Sequence, residues 1–212
     1  MPVVKQVTYY SFDELSEQVQ QRVIDKVREW DDLFSAEEEF IIQDFQERHP
    51  HIHNMDIRYS GFCSQGDGAS FTGYISTEWV IDNLLSDDLK TIVRDLDYRF
   101  ERHSIRYCHE NTVSTQIEDV WWADHIEEND RLRESMAEQH YDKIEDAIEE
   151  YRVSLCHSLY RELEQAYEQC HSDENIIELI KANDYLFDID GNFYPYDTIT
   201  LKTLNKTFNS IV

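Results

Sequence analysis

Apolar residues three or four positions apart predict helices over much of the chain. The first is predicted to begin at Ser11, where Ser11 and Glu14 have the spacing of a capping box. Its buried positions are predicted to be Leu15, Val19, Val23, Val27 and Trp30. A second helix is predicted over 35–47 and ends before Pro50, because proline interrupts the helical hydrogen bonds.

Three further stretches carry a helical pattern. Thr77 is a good N-cap for a helix over 77–96, with a break at 86–88 left open. Residues 124–171 contain neither glycine nor proline, which predicts one very long helix or two helices joined near Ser154. Ser172 is predicted to cap a last helix that runs through Ile180.

Alternating apolar and polar residues predict strands between these helices. Gly66-Asp67-Gly68 separates two such runs and predicts a β-hairpin, in which four nearby glycines indicate bends or a close backbone approach. Residues 103–118 predict a second strand or hairpin that bends at Asn111-Thr112, and Asp190-Gly191 predicts a hairpin over 185–194. This order of elements predicts an α+β fold, with helices over one face of a small antiparallel sheet.

Composition predicts one folded domain inside a cell. Of the 212 residues 41% are hydrophobic and only 5 are glycine and 3 proline, so we expect a single compact domain over 1–212, with sub-parts 1–123 and 124–212. The four cysteines form no Cys-x-x-Cys pair, which argues against a zinc ribbon or a disulfide framework. A signal sequence and an apolar run of 18 residues are both lacking, so we expect a cytoplasmic protein that does not bind membranes.

The net charge indicates which class of molecule the protein is expected to bind. The chain has 45 acidic and 19 basic side chains and a formal charge of -26. Nucleic-acid affinity depends on lysine and arginine, so direct binding to nucleic acid is not expected. The partner predicted from this charge is a basic protein surface, which the negative field would attract over a distance.

Carboxylates concentrate in the predicted long helix. Residues 124–150 contain 11 acidic side chains against three basic ones. Spacings of seven and four residues place a stripe about 33 Å long on one helix face, formed by Glu127, Glu134, Glu138, Glu145 and Glu149. Such a stripe can imitate the phosphates of DNA; the alternative is an ordinary solvated face. Trp121 and Trp122, just before it, are predicted either to anchor a partner or to lie with one ring buried and the other at the core margin.

Few residues have the spacing of a catalytic or metal site. His49, His51 and His53 alternate in a segment followed by Asp56, and in extended backbone their side chains could share one metal ion. A histidine-rich surface loop is the alternative. Asp188–Asn192 lacks the spacing of a calcium loop, and neighbouring Cys108 and His109 would point to opposite faces of a strand. We therefore predict no cofactor, no catalytic residues and no enzyme.

Four blocks of the sequence carry a family resemblance. They are 10–18, 109–114, 180–193 and above all 60–71, which reads Ser-Gly-Phe-Cys-Ser-Gln-Gly-Asp-Gly-Ala-Ser-Phe. The chain resembles a group of uncharacterised phage and prophage proteins, some labelled antitoxin of a toxin–antitoxin stability system. The resemblance implies a bacterial-virus context and assigns no catalytic residues.

Charge and resemblance together lead to one functional hypothesis and two alternatives. The hypothesis is an inhibitor of a host nucleic-acid-binding defence complex, of the anti-CRISPR or anti-restriction type, that acts in the bacterial cytoplasm by mimicking DNA. The first alternative is an antitoxin that neutralises a basic toxin. The second is a metal-dependent hydrolase or nuclease that uses His49, His51, His53 and Asp56. No oligomeric state follows from the sequence.

Overall fold

The computed structural model describes residues 8–86, 96–104, 106–119 and 141–194, and these contain five helices and six strands. The helices are α1 (Glu17–Arg28), α2 (Ser35–Arg48), α3 (Thr77–Asn83), α4 (Tyr141–Cys170) and α5 (Asp173–Ala182). The strands are β1 (Ile52–Ser60), β2 (Gly68–Ile75), β3 (Leu96–Arg102), β4 (Val113–Asp119), β5 (Leu186–Phe187) and β6 (Phe193–Tyr194). A four-stranded antiparallel sheet, a two-stranded sheet and separate helices confirm the predicted α+β class.

Contacts divide the chain into two compact units. The terminal unit comprises Met1–Ala36 and Ala166–Val212, and the central unit comprises Glu37–Gln165. Helices α2 and α4 each cross a boundary between them. Since two compact units can belong to one domain, the single domain over 1–212, with sub-parts 1–123 and 124–212, stays a prediction.

The core of the terminal unit joins the two ends of the chain. The apolar residues of α1, with Val23 and Val27 fully buried, pack with Ile176 and Ile180 of α5 and with Phe187 of β5. Tyr10 exchanges two backbone hydrogen bonds with Phe187, at 2.8 and 2.9 Å, and so extends the β5–β6 hairpin by one bridge. The hairpin over 185–194 is therefore confirmed, as is the Ser172 cap, whose hydroxyl accepts from the Asn175 amide.

The start of the first helix differs from the prediction. The capping box of Ser11 and Glu14 is present, but it closes the 3-10 turn Phe12–Glu14. The helix does not continue, because Leu15 has an extended backbone with ψ 152°. Helix α1 begins at Glu17, after Ser16 as its N-cap residue.

The sheet of the central unit has the strand order β1-β2-β3-β4, with every pair antiparallel. Helix α4 presents a buried stripe at helical spacing, formed by Ile144, Ile148, Arg152, Leu155, Leu159 and Leu163. The helix is joined to β4 by a hydrogen bond of 2.8 Å from the Thr115 hydroxyl to Glu149. Phe71 of β2 contacts Phe45 of α2 and Phe100 of β3, which links the sheet with α2.

Two features of this unit lie at other positions in the chain than predicted. The cap of α3 is Ser76, whose hydroxyl accepts from the Trp79 amide, one residue before the predicted Thr77. Of the strand or hairpin predicted over 103–118, the second strand is present as β4 (Val113–Asp119). Its partner lies earlier than predicted, as β3 over Leu96–Arg102, where buried Tyr98 and Phe100 alternate with polar residues. The predicted bend is present as the 3-10 turn Glu110–Thr112. Ile105 and residues 87–95 lie outside the described residues.

Glycines shape the hairpin of β1 and β2. Gly66 has φ +98° in the connecting loop, as a tight turn requires. Gly68 has an ordinary φ but leaves no room for a side chain, since a Cβ there would lie 2.5 Å from the Cβ of His109. Both interpretations of this glycine-rich stretch, a bent backbone and a close approach, are therefore realised.

Candidate interaction surface

Helix α4 carries an exposed acidic face at its N-terminal end. Asp142, Glu145, Asp146 and Glu150 are exposed. With about 3.6 residues per turn, Asp142, Asp146 and Glu150 fall on the side of the helix away from buried Ile148, and Glu145 lies at the edge of that side. With a rise of 1.5 Å per residue these four carboxylates span about 12 Å of the helix axis. None of them forms an ion pair with another described residue, and Lys143 is the basic side chain within this stretch. The face therefore has an uncompensated negative charge.

Glu149 belongs to the same turns of the helix but is already engaged. Its carboxylate accepts hydrogen bonds from Arg152 Nε at 2.9 Å, from Arg152 Nη2, and from the Thr115 hydroxyl at 2.8 Å. Burial opposes ionisation of this group, but the hydrogen bonds and the positive charge of Arg152 outweigh it, so the pKa of Glu149 lies below its ordinary value. Glu149 is thus an ionised group that serves the fold.

Arg152 explains why Glu149 is held in this way. Its side chain is fully buried. Nη1 donates to the carbonyl of Glu110 at 2.9 Å and lies 3.8 Å from Cys156 Sγ. A buried guanidinium requires a carboxylate partner, because an unpaired charge is costly away from water. Burial also raises the pKa of the Cys156 thiol to about 11, so this cysteine is a neutral core residue.

The predicted stripe is described in part. Glu145 is exposed, and Glu149 is bound to Arg152. The other predicted partner-binding residues lie outside the described residues, namely Glu127, Glu134, Glu138, Trp121 and Trp122. Asp142, Asp146 and Glu150 were not singled out from the sequence, although each lies three, four or eight residues from another acidic position on the same face.

The residues of the predicted metal site have other contacts or are exposed. The His51 ring stacks on Trp79 with centroids 3.8 Å apart, and its Nε2 lies 2.8 Å from the Tyr151 hydroxyl. Asp56 pairs with Arg58 and Arg102, and His53 is exposed. Over the described ranges, no group of three or more His, Cys, Asp or Glu side chains is placed to hold a metal ion. His49, His51, His53 and Asp56 are not brought together as ligands.

His51 instead forms part of an aromatic cluster. Burial and the charges of His49 and His53 lower the pKa of His51 to about 4, and burial raises that of Tyr151 to about 12. Trp79 and Tyr151 lie 4.8 Å apart, so the three rings contact one another directly. The cluster joins the turn before β1 with α3 and α4 through side chains that are neutral at physiological pH.

Two further motifs serve local structure. The Asp188 carboxylate accepts from the amides of Asp190 and Asn192, both at 2.9 Å, and so closes the β5–β6 turn. His109 caps the 3-10 turn before β4, where its Nδ1 accepts from the Asn111 amide. Both motifs therefore have a structural explanation.

In the part of the chain that the structure describes, none of the helices is long and apolar enough to cross a bilayer.

Comparison with other proteins gives a family but no individual relative. No curated protein matches the sequence significantly. No solved structure does so either. The family model described as Domain of unknown function (DUF8835) matches residues 41–173, more than half of the sequence, and the chain belongs to this family.

Proposed function

We propose that the protein is an acidic interaction protein, encoded by a phage or prophage, that binds a basic surface of a host nucleic-acid-binding defence complex and inhibits it. Its action would resemble that of an anti-CRISPR or anti-restriction protein in the bacterial cytoplasm. The observation that carries the proposal is the acidic face of α4, formed by Asp142, Glu145, Asp146 and Glu150.

The charge density of this face supports mimicry of nucleic acid. Four carboxylates over about 12 Å give one charge per about 4 Å of axis, close to the 3.4 Å per phosphate along a DNA strand. The face lies on α4, and the buried side chain of Arg152 attaches this helix to the carbonyl of Glu110. The carboxylates are therefore held on a rigid element. The charge of -26 on the whole chain adds a field that speeds association with a basic partner.

A pull-down from nuclease-treated bacterial lysate tests the proposal. The bait is the full chain, compared with a face variant in which Asp142, Asp146, Glu145 and Glu150 become Asn or Gln. The control variant removes four exposed carboxylates of the terminal unit instead, with Asp31 and Asp32 changed to Asn and Glu174 and Glu178 changed to Gln. Both variants lose the same charge, so a difference between them reports the position of the charge.

We expect the wild type and the control variant to recover one basic nucleic-acid-binding complex that DNA displaces. The face variant should recover at least about tenfold less, since several interfacial charge contacts are lost together. Equal recovery by both variants would contradict a role for α4. Recovery of a single small basic toxin, with relief of its toxicity on co-expression, would favour the antitoxin alternative.

A further inference from the structure

A cavity of about 250 Å³ opens on the terminal unit. Its lining residues belong to other segments of the sequence than the acidic face of α4. Its apolar wall includes Phe12 and Ile180, which are nearly fully buried, together with Tyr185 and Leu186. Asp13, Lys181 and Asp184 add polar groups. None of these residues belongs to 41–173, the segment that the family model matches.

An exposed apolar surface continues from this cavity. Leu186 lines the cavity, yet 40% of it is exposed, and it pairs in register with Tyr194, which is 39% exposed. The Tyr194 ring contacts that of Tyr9 at a centroid distance of 3.9 Å. The other side of the same hairpin buries Phe187 in the core. An outer strand face that exposes leucine and tyrosine is typical of an interaction surface.

The size of the cavity indicates what it accepts. Pockets for cofactors and small ligands usually enclose about 300–1,000 Å³. A cavity of 250 Å³ with an apolar floor is instead suited to one aliphatic side chain of a partner. The adjoining face of Leu186 and Tyr194 can then cover the backbone on either side of that side chain.

The negative charge around the cavity favours basic residues on either side of the partner side chain that enters it. Residues 8–36 and 166–194 contain 14 acidic side chains against four basic ones. Lys181 is held by Asp13 at 2.7 Å, whereas the exposed carboxylate of Asp184 forms no ion pair with any other described residue. Lysine or arginine beside the inserted side chain would therefore be attracted, and an acidic segment would be repelled.

We propose that this surface, which we call the hairpin groove, binds a short cationic segment of a partner protein and takes one leucine-sized side chain into the cavity beside Leu186. The groove is defined by Phe12, Ile180, Asp184, Tyr185, Leu186 and Tyr194. It is a second interaction surface, and it does not depend on the acidic face of α4.

Synthetic peptides provide the test. The probe is Gly-Lys-Gly-Lys-Leu-Lys-Gly-Lys-Gly with blocked ends, titrated into the ¹⁵N-labelled full chain while amide shifts are followed. One comparison peptide has alanine in place of leucine, and another has glutamate in place of every lysine. We expect saturable shifts of the Lys181, Tyr185 and Leu186 amides with the leucine peptide. Binding of the alanine peptide should be at least about fivefold weaker, because less apolar surface is buried.

Matched variants locate the site. Leu186→Thr keeps a residue suited to a strand and should weaken the leucine peptide to the affinity of the alanine peptide. Ile189→Thr is the control, since Ile189 is 63% exposed in the same hairpin but does not line the cavity. It should leave the affinity unchanged. Amide spectra without peptide verify that both variants are folded.

Each of the following results would overturn the proposal. The first is equal affinity for the leucine and alanine peptides, which would mean attraction by charge alone. The second is an equal effect of the two variants, or no saturable binding at millimolar peptide. The third is a wild-type dimer in sedimentation that Leu186→Thr dissociates, because a second copy of the chain would then occupy the groove. None of these results bears on the α4 face, which is tested separately.

Discussion

The guanidinium of Arg152 is fully buried and donates to the Glu149 carboxylate from both Nε and Nη2. The same carboxylate accepts from Thr115, and the same guanidinium donates to the carbonyl of Glu110. This ion pair therefore connects α4 with β4 and with the turn that precedes it. Among the five acidic residues over 142–150, it also separates the one that stabilises the fold from the four that remain available to a partner.

Removal of the carboxylate charge should destabilise the central unit. Glu149→Gln leaves the buried guanidinium without a counter-charge. Because Glu149 is 38% exposed, we expect a loss of about 2 kcal/mol in the free energy of unfolding, below the roughly 3–5 kcal/mol of fully buried pairs. Urea denaturation at pH 7 measures it. Glu145→Gln is the control and should change stability by less than about 0.5 kcal/mol; similar losses in both variants would contradict the assignment of Glu149.

The aromatic cluster around His51 should make stability depend on pH. The pKa of His51 is lowered to about 4 in the folded chain, so folding favours the neutral ring. This contribution is complete above the unfolded pKa of about 6.5 and is lost as the pH falls toward 4. We expect the stability difference between wild type and His51→Gln to shrink by about 1 kcal/mol from pH 7 to pH 5, a value reduced for solvent access.

The control for this prediction is the neighbouring exposed histidine. His53→Gln should retain most of the pH dependence of the wild type, because burial, the largest cause of the lowered pKa of His51, is unchanged and only the smaller effect of the His53 charge is lost. Denaturant midpoints of the three proteins at pH 5, 6 and 7 provide the comparison. A wild-type profile parallel to that of His51→Gln would show that His51 does not carry the effect.

Gly191 should resist substitution for two separate reasons. It has φ +80°, and a Cβ would lie 2.9 Å from methyl carbons of both Val19 and Val23. Gly66 has a similar φ of +98° but nothing within 4 Å. Gly66→Ala thus measures backbone strain alone, about 1 kcal/mol, whereas Gly191→Ala adds an overpacking cost of about 1–3 kcal/mol. Equal urea midpoints for the two variants would contradict the close packing of the β5–β6 turn on α1.

Elements with strong local signals could be predicted from the sequence. Ser172 at the start of α5, Asp190-Gly191 in the last turn and the uninterrupted pattern of α4 each act within a few residues of the chain. Strand β3 was missed although Tyr98 and Phe100 alternate with Arg99 and Glu101, because a helical pattern had been extended to Leu96. The boundary of that helix is not determined by spacing alone.

The roles of the acidic residues could not be predicted from spacing. Glu145 and Glu149 are four residues apart on one helix, yet only Glu149 is held by a buried arginine. That difference depends on Thr115 and on the carbonyl of Glu110, which lie more than 30 residues away in the chain. The hairpin groove likewise combines residues from both ends of the sequence, which no local pattern brings together.

Displacement of DNA from the recovered complex tests the central claim most directly. Fluorescent DNA is bound to the complex captured in the pull-down, and its anisotropy is followed as the protein is added. We predict that the wild type releases the DNA at near-stoichiometric amounts, and that the face variant with Asp142, Glu145, Asp146 and Glu150 neutralised needs at least about tenfold more. Release of DNA at equal concentrations of both proteins, or binding of the wild type while the DNA stays bound, would contradict mimicry of nucleic acid by α4.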